Sequence, residues 1–231
     1  MNTIVSKISR ALLGWYIKGA LIESIEGLEN VPKSGNFILA SNHLSHLDWF
    51  MCGYIVSPRK FTYIGQVDRY NSGIEGIGRR LMYFWADVIP IDRTSDDSKR
   101  QALIKGVEML KKGYCVIIYP EGGRSYEGKM KDFKIGIGIL HLQSGIPVLP
   151  VAFKGTYELM PPGGKLKIKK IVKIAIGKPL DFIDLKKKAQ GMDNSSKEYR
   201  LMCIEVAKGI QNRVQKLYEQ ISGQPIAKAR K

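Results

Sequence analysis

Short apolar runs bounded by Gly, Pro or Ser alternate along the chain with stretches in which apolar residues recur every three or four positions. The runs at 36–40 (Asn-Phe-Ile-Leu-Ala), 60–64 (Lys-Phe-Thr-Tyr-Ile), 88–91 (Val-Ile-Pro-Ile) and 114–119 (Tyr-Cys-Val-Ile-Ile-Tyr) read as strands. The last is continuous in the way strands buried on both faces are. The run 146–153 carries prolines at both ends of its apolar core, which fits an edge strand or one that starts at Pro147. Residues 165–174 alternate Lys with Leu and Ile and read as a strand with a lysine face. The mostly apolar residues from Trp49 to Val56 fit the start of a buried helix. A second is capped by Ser98, carries Leu103, Val107 and Leu110, and runs up to Gly113. Residues 134–145 turn helical near Ile139 and Leu140. From Tyr199, a stripe of Cys203, Val206, Ile210, Val214, Leu217 and Ile221 marks a long helix that Ser195 or Ser196 starts and Gly223 with Pro225 stops. Strands alternating with helices predict the α/β class: a largely parallel central sheet flanked by helices.

The N-terminus follows a different pattern. Ile4, Ile8, Ala11, Leu12, Trp15, Tyr16 and Ile22 fall on one broad arc, with Lys7, Arg10 and Lys18 on the opposite flank. The longest uncharged run, 11–17, is far below the roughly 20 residues a bilayer span needs, and a signal peptide does not fit well either. Trp15 and Tyr16 beside cations fit a helix lying in a bilayer interface better than one packed on its own domain. Residues 1–26 are therefore expected as an amphipathic membrane-associating helical segment outside the sheet, and 27–231 as the α/β domain.

Composition adds one strong constraint. The 231 residues are 44% hydrophobic and 25% charged, as in ordinary globular proteins, but the net charge is +16 and the pI near 9.7. Such a balance calls for an anionic partner: nucleic acid, an anionic membrane or a phosphorylated substrate. Nucleic-acid surfaces interleave cations with exposed aromatics, and the lysine-rich strand carries none, so nucleic acid is not expected. Cys52, Cys115 and Cys203 are too few and too scattered for a disulfide framework or zinc cluster and read as buried, reduced fillers.

Candidate chemistry concentrates where the run 36–40 ends, in Ser41-Asn-His43-Leu-Ser-His-Leu-Asp48-Trp-Phe50. Strand ends of this kind open onto the crevice where α/β proteins bind ligands. On a regular helix His43 and Asp48 would lie roughly 140° apart, so they meet through a bend or not at all. If they meet, the carboxylate fixes the imidazole tautomer and raises its basicity, making His43 a general base for a hydroxyl. The competing reading is that Asp48 completes a capping box with Ser45. His46 lacks further ligands at metal spacing, so no metal is expected. His141 reads as buried filler. The glycines of Asn71-Ser-Gly-Ile-Glu-Gly-Ile-Gly78 have the wrong order for a dinucleotide fingerprint. Two more strand ends carry arginines suited to a phosphate: Ile91-Asp-Arg93, and the glycine turn Pro120-Glu121-Gly122-Gly-Arg124-Ser125. A serine hydrolase using Ser45 or Ser125 with His43 lacks the G-x-S-x-G elbow.

Together these blocks resemble the glycerolipid acyltransferase family, closest to the lysophosphatidate acyltransferases. Asn42-His43-Leu-Ser-His-Leu-Asp48 is similar to the family's His-x4-Asp block. Ile89-Pro-Ile-Asp-Arg93 is similar to its second, Tyr119-Pro-Glu-Gly-Gly-Arg-Ser125 to its third, and Ile146-Pro-Val-Leu-Pro-Val151 to its fourth. The resemblance implies that His43, held by Asp48, takes a proton from a glycerol hydroxyl, which attacks the thioester of acyl-CoA or acyl-carrier protein. Arg93, Gly122 and Arg124 would hold the acceptor phosphate, and Glu121 would bind a glycerol hydroxyl or align an arginine. It implies lysophosphatidate as acceptor and phosphatidate as product, no cofactor, and a peripheral place on the cytoplasmic face of an anionic membrane. Position 123 is Gly where lysophosphatidate acyltransferases usually carry Thr, a form similar to glycerol-3-phosphate acyltransferases. Glycerol 3-phosphate or another lysophospholipid therefore stays open as acceptor. Outside the enzyme class, a non-catalytic binder of anionic membranes is the alternative.

Overall fold

The computed structural model describes residues 14–66 and 88–224. The glycine-punctuated segment 71–78, the arc positions 4–12 and the tail from 225 lie outside the described residues. Seven strands form one sheet: β1 (Ile22–Glu26), β2 (Ile38–Ser41), β3 (Phe61–Gly65), β4 (Ile89–Pro90), β5 (Cys115–Ile118), β6 (Val148–Lys154) and β7 (Val172–Ile176). Their spatial order is β1-β7-β6-β2-β5-β3-β4. All neighbours pair parallel except β6 with β7. The largely parallel α/β sheet expected from the sequence is therefore what the chain forms. Because β1 is parallel to β7, both run against the other five. They begin at the end of the sheet where β2, β5 and β6 finish.

The central strands are short and buried on both sides, and their period of two sorts side chains between two cores. Phe37, Leu39, Cys115, Ile117, Leu149 and Val151 join the cluster under helix α2 (Leu47–Val56), which also receives Ile17 from α1 (residues 14–20) and Leu21 from the turn after it. Ile38, Ala40, Val116, Ile118, Val148 and Ala152 point to the other face, where α3 (Asp96–Lys111), α4 (Gly136–Ser144) and α7 (Lys197–Ser222) cover them. The short helices α5 (Thr156–Leu159) and α6 (Ile183–Ala189) and a single 3-10 turn at Leu28–Asn30 complete the described set. The stripe read along α7 is its buried face, from Tyr199 to Ile221, with Ser196 as N-cap and Gly223 in the left-handed region at its C-terminus.

Four expectations change. Of the two readings of the run 146–153, the edge strand fails, because β6 lies between β7 and β2, while a strand starting at Pro147 holds to within one residue. Its Pro150 sits where the ladder lapses, between the Val151–Ile176 pair and the isolated Val148–Leu180 bridge, so a residue without an N–H is tolerated. The second helix begins earlier than Ser98. Ser95 is its cap, accepting from the Ser98 N–H, while the Ser98 hydroxyl accepts from the Asp92 N–H. Residues 165–170 are exposed irregular chain, and only the end of that lysine-rich run enters β7. Finally, the residues expected to extend the N-terminal helix to 26 instead supply β1, which pairs with β7 from Ile22. Ile17 on α1 and Leu21 just after it are packed inward, whereas Trp15 and Tyr16 point to solvent.

Candidate active site

The polar decapeptide leaves β2 at the sheet's carboxyl end, and its first task is to stay in place without a strand to pair with. Asn42 does this with its side chain: Nδ2 donates to the Phe153 carbonyl (2.9 Å) and Oδ1 accepts from the Phe153 N–H (2.8 Å). The amide imitates one more step of backbone ladder between β2 and β6. His43 follows, its N–H donating to Glu121 Oε1 at 2.7 Å and its carbonyl accepting from the Ser125 N–H at 3.2 Å. The loop of the first block and the glycine turn after β5 are thus stitched together.

Asp48 lies in the first turn of α2 and is wholly buried. Its Oδ2 accepts from His43 Nδ1 (2.9 Å) and from the Leu44 and Ser45 N–H groups (2.8 and 2.9 Å). The His–Asp reading and the acid half of the capping reading meet here, although the helix cap falls at His46 and the Ser45 hydroxyl takes the Leu47 N–H rather than that of Asp48. Asp48 reaches back to Ser45 as a capping acid does, and the same turn bends the chain so that the carboxylate meets the imidazole. Ser45 accepts from the Leu47 N–H and donates to the Met160 carbonyl, and Ser125 accepts from the Glu127 and Lys129 N–H groups. Both hydroxyls are engaged by backbone groups, which weighs against a serine nucleophile.

With Nδ1–H directed at Asp48, the imidazole Nε2 is left as an acceptor; this tautomer follows from the hydrogen-bond network. The ring stacks on Tyr119, 3.8 Å between centroids at 12°. Burial pushes its pKa below 6.5. The hydrogen bond and charge of Asp48 pull it up but do not outweigh burial, and the cations Arg124 and Arg93 push it down further. His43 is therefore neutral near pH 7, the state a base needs.

His43 borders a pocket of about 240 Å³ with Trp49, Ile64, Ile91, Leu103, Ile118, Tyr119, Ile135 and Ile137 on its apolar walls and Arg93, Lys99 and Lys134 as cations. Of the residues singled out in the sequence, His43, Arg93 and Gly122 line it. Arg124 is outside its lining but close enough for its charge to act on the His43 ring. Glu121 sits behind the turn. Its oxygens accept from the His43 and Lys131 N–H groups, at 2.7 and 2.9 Å, and burial pushes its pKa up to about 8 against those two donors. The sequence suggested contact with a glycerol hydroxyl or an arginine; the structure places this carboxyl against backbone. Gly122 has φ 74°, and a Cβ there would fall 2.8 Å from the Lys134 ammonium. A Cβ on Gly123 would fall 2.9 Å from Arg93 Nη1. The two glycines let both cations close over the turn.

Sequence reasoning missed Asn42, Tyr119, Lys99 and Lys134. Asn42 and Tyr119 open blocks that were singled out but were given no role of their own, and that position was their available signal. Lys134 had none, because its place depends on its N–H donating to the Pro120 carbonyl across the turn.

Fold and site together give an α/β chain with a buried His–Asp pair at the carboxyl end of its sheet. Residues 24–154 match the family described as Acyltransferase, and the chain belongs to that family. Among its relatives, a chloroplastic 1-acyl-sn-glycerol-3-phosphate acyltransferase of Arabidopsis thaliana is 33% identical over 62% of this chain and 38% of its own length. A 1-acyl-sn-glycerol-3-phosphate acyltransferase of Pseudomonas aeruginosa is 32% identical over 66% of this chain and 57% of its own length. The match thus spans well under two thirds of these relatives. The crystal structure of the 1-acyl-sn-glycerophosphate acyltransferase of Thermotoga maritima superposes with a TM-score of 0.68 at 26% identity, covering 95% of this chain and 82% of that one.

Proposed function

We propose that the protein transfers a fatty acyl group from a thioester donor, acyl-CoA or acyl-carrier protein, to the free hydroxyl of 1-acylglycerol 3-phosphate, giving phosphatidate. The observation that carries this is the His43 Nδ1–Asp48 Oδ2 contact of 2.9 Å, which leaves a neutral imidazole facing a pocket shared by apolar walls and Arg93. The names of the family relatives support the choice of acceptor.

In this reading Nε2 of His43 takes the proton of the acceptor hydroxyl as its oxygen bonds to the thioester carbonyl carbon. The carbon–sulfur bond then breaks, and the imidazolium returns the proton to the leaving thiolate. A thioester is already activated, so a base and accurate positioning supply what the reaction needs. Asp48 holds the ring and balances its transient charge. Arg93, helped by Arg124 and by the turn at Gly122, draws the acceptor phosphate. Glu121 supports the reaction by fixing the His43 backbone.

The test is thiol release from purified protein given acyl-CoA or acyl-carrier protein with lysophosphatidate, glycerol 3-phosphate and lysophosphatidylcholine as separate acceptors. Transfer is expected with lysophosphatidate and is expected to fall by roughly 10²–10⁴ in His43→Ala, the usual contribution of a general base. Full activity in that variant would overturn the assigned role. Failure with every phosphorylated glycerol would overturn the substrate class.

A further inference from the structure

Two aromatic rings lie face to face at the centre of the site. The imidazole of His43 stacks on Tyr119 with 3.8 Å between centroids and 12° between planes, and both side chains are buried. Tyr119 is the residue after β5, beside the end of the neighbouring parallel strand β2 in the register that pairs Ala40 with Ile118. By the period of two it shares the side of Cys115 and Ile117, the core under α2. Its backbone is held on both sides. β5 precedes it, and Pro120 opens a turn after it that closes when the Gly122 N–H donates to the Tyr119 carbonyl at 3.0 Å. Its hydroxyl donates to Cys52 Sγ at 3.5 Å, and Ser41 Oγ lies 3.8 Å from the same sulfur. Cys52 stands four residues after Asp48 on α2, so one face of that helix holds the edges of both rings: Asp48 the imidazole, Cys52 the phenol.

We infer that Tyr119 is a positioning residue whose ring sets the plane of the His43 imidazole, so that Nε2 stays aimed into the pocket. Asp48 alone does not achieve this. Its Oδ2 takes the Nδ1–H, and its Oδ1 has no partner among the described residues, so the carboxylate ties the ring at one atom. A single hydrogen bond fixes a point and leaves the ring free to swing about it; a stacked face removes that freedom. Aromatic pairs attract beyond the area they bury, and the electron-rich face of a phenol suits the imidazolium formed when the proton arrives. The inference rests on the reading of His43 as the base. Tyr119 borders the pocket, but it acts on the reaction through that ring.

The test compares Tyr119→Phe, which keeps the ring face, with Tyr119→Leu, which removes it, in the full chain. The first measurement is the imidazole nitrogen and proton spectrum. With 3 histidines in the sequence, the His43 signals are those absent from His43→Ala. Exchange of the His43 Nδ1–H with water is expected to quicken roughly two- to tenfold in the leucine variant, the worth of a stacked pair, and to stay unchanged in the phenylalanine variant. The second measurement is transfer kinetics. In the leucine variant kcat is expected to fall by about 10–10² at an unchanged acceptor KM, as for a reacting group displaced by about 1 Å. The phenylalanine variant should keep the kcat of the unaltered chain. Where leucine prevents folding, judged by thermal melting, Tyr119→Met carries the same expectations. An unchanged exchange rate, or an unchanged kcat in a chain that does transfer, would overturn the inference. A raised KM at unchanged kcat would do so by making Tyr119 a wall of the pocket and nothing more. An equal loss in the phenylalanine variant would assign the effect to the hydroxyl and overturn the role of the ring. Because exchange needs no turnover, faster exchange in the leucine variant of a chain that transfers to no acceptor would reject the proposed reaction and leave the positioning role standing.

Discussion

At the scale of single residues, the proposed reaction assigns the acid limb of its pH profile to His43. The ring must be neutral to accept a proton, and burial sets its pKa below 6.5 despite Asp48. The rate kcat/KM is therefore expected to hold as pH falls through 6.5 and to drop only below it, as a pH–rate profile on the free enzyme would read. Gly123→Thr tests the neighbouring cation. The new Cβ would meet Arg93 Nη1, the far end of a flexible side chain, so the guanidinium moves and the fold does not. Acceptor KM is expected to rise severalfold. The acid limb should shift upward, because Arg93 is one of two cations that push the His43 proton off. An unchanged KM and limb would place Arg93 outside the phosphate contact. His43 and Asp48 were legible in the sequence because a short polar turn brings them together locally. Glu121 was visible as a residue and opaque as a role. Its partners are backbone N–H groups at positions 43 and 131, and backbone groups leave no mark in a sequence.

At the scale of elements, side-chain period located most strands and helices but not their order in space. The prolines of the run at 146–153 left an edge position open beside a start at Pro147, yet the strand occupies the interior of the sheet, where a lapse in one ladder accommodates Pro150. The lysine-rich run looked like a strand because it alternates, yet pairing with β1 and β6 begins only at Val172 and Lys173. Alternation describes a pleated chain and says nothing about whether a neighbour is present. Helix contacts were equally silent. Gly138 on α4 faces α7 so closely that a Cβ would fall 2.2 Å from the Cys203 carbonyl oxygen, so α4 and α7 touch backbone to backbone. Unlike the Gly123 case, no flexible tip can yield. Gly138→Ala is expected to destabilise by about 3 kcal/mol, the upper range for overpacking, as a lower midpoint in urea at unchanged slope. A change under 1 kcal/mol would mean that the two helices separate more easily than their contact implies.

At the scale of the whole molecule, one sheet serves two cores, and each central strand contributes alternate side chains to both. Losing the packing on one face strips support from the strands that hold the other, so the layers should melt together. The cysteines sample this arrangement. Cys52 and Cys115 lie in the core under α2, and Cys203 lies with Tyr199 at the α4–α7 contact on the opposite side. All three are buried free thiols, with burial pushing Cys52 up to about 12 and Cys203 up to about 11. Thiolate is the reactive form, so neither access nor ionisation favours modification of the folded protein at pH 8. In mild denaturant, alkylation followed by peptide mass spectrometry should find the three thiols reacting at one common rate that tracks the global unfolding equilibrium. Faster labelling of Cys203 alone would show that α4 and α7 open as a separate unit. It would also show that the pocket wall formed by Ile135, Gly136 and Ile137 at the start of α4 is free to move independently of the His43 loop.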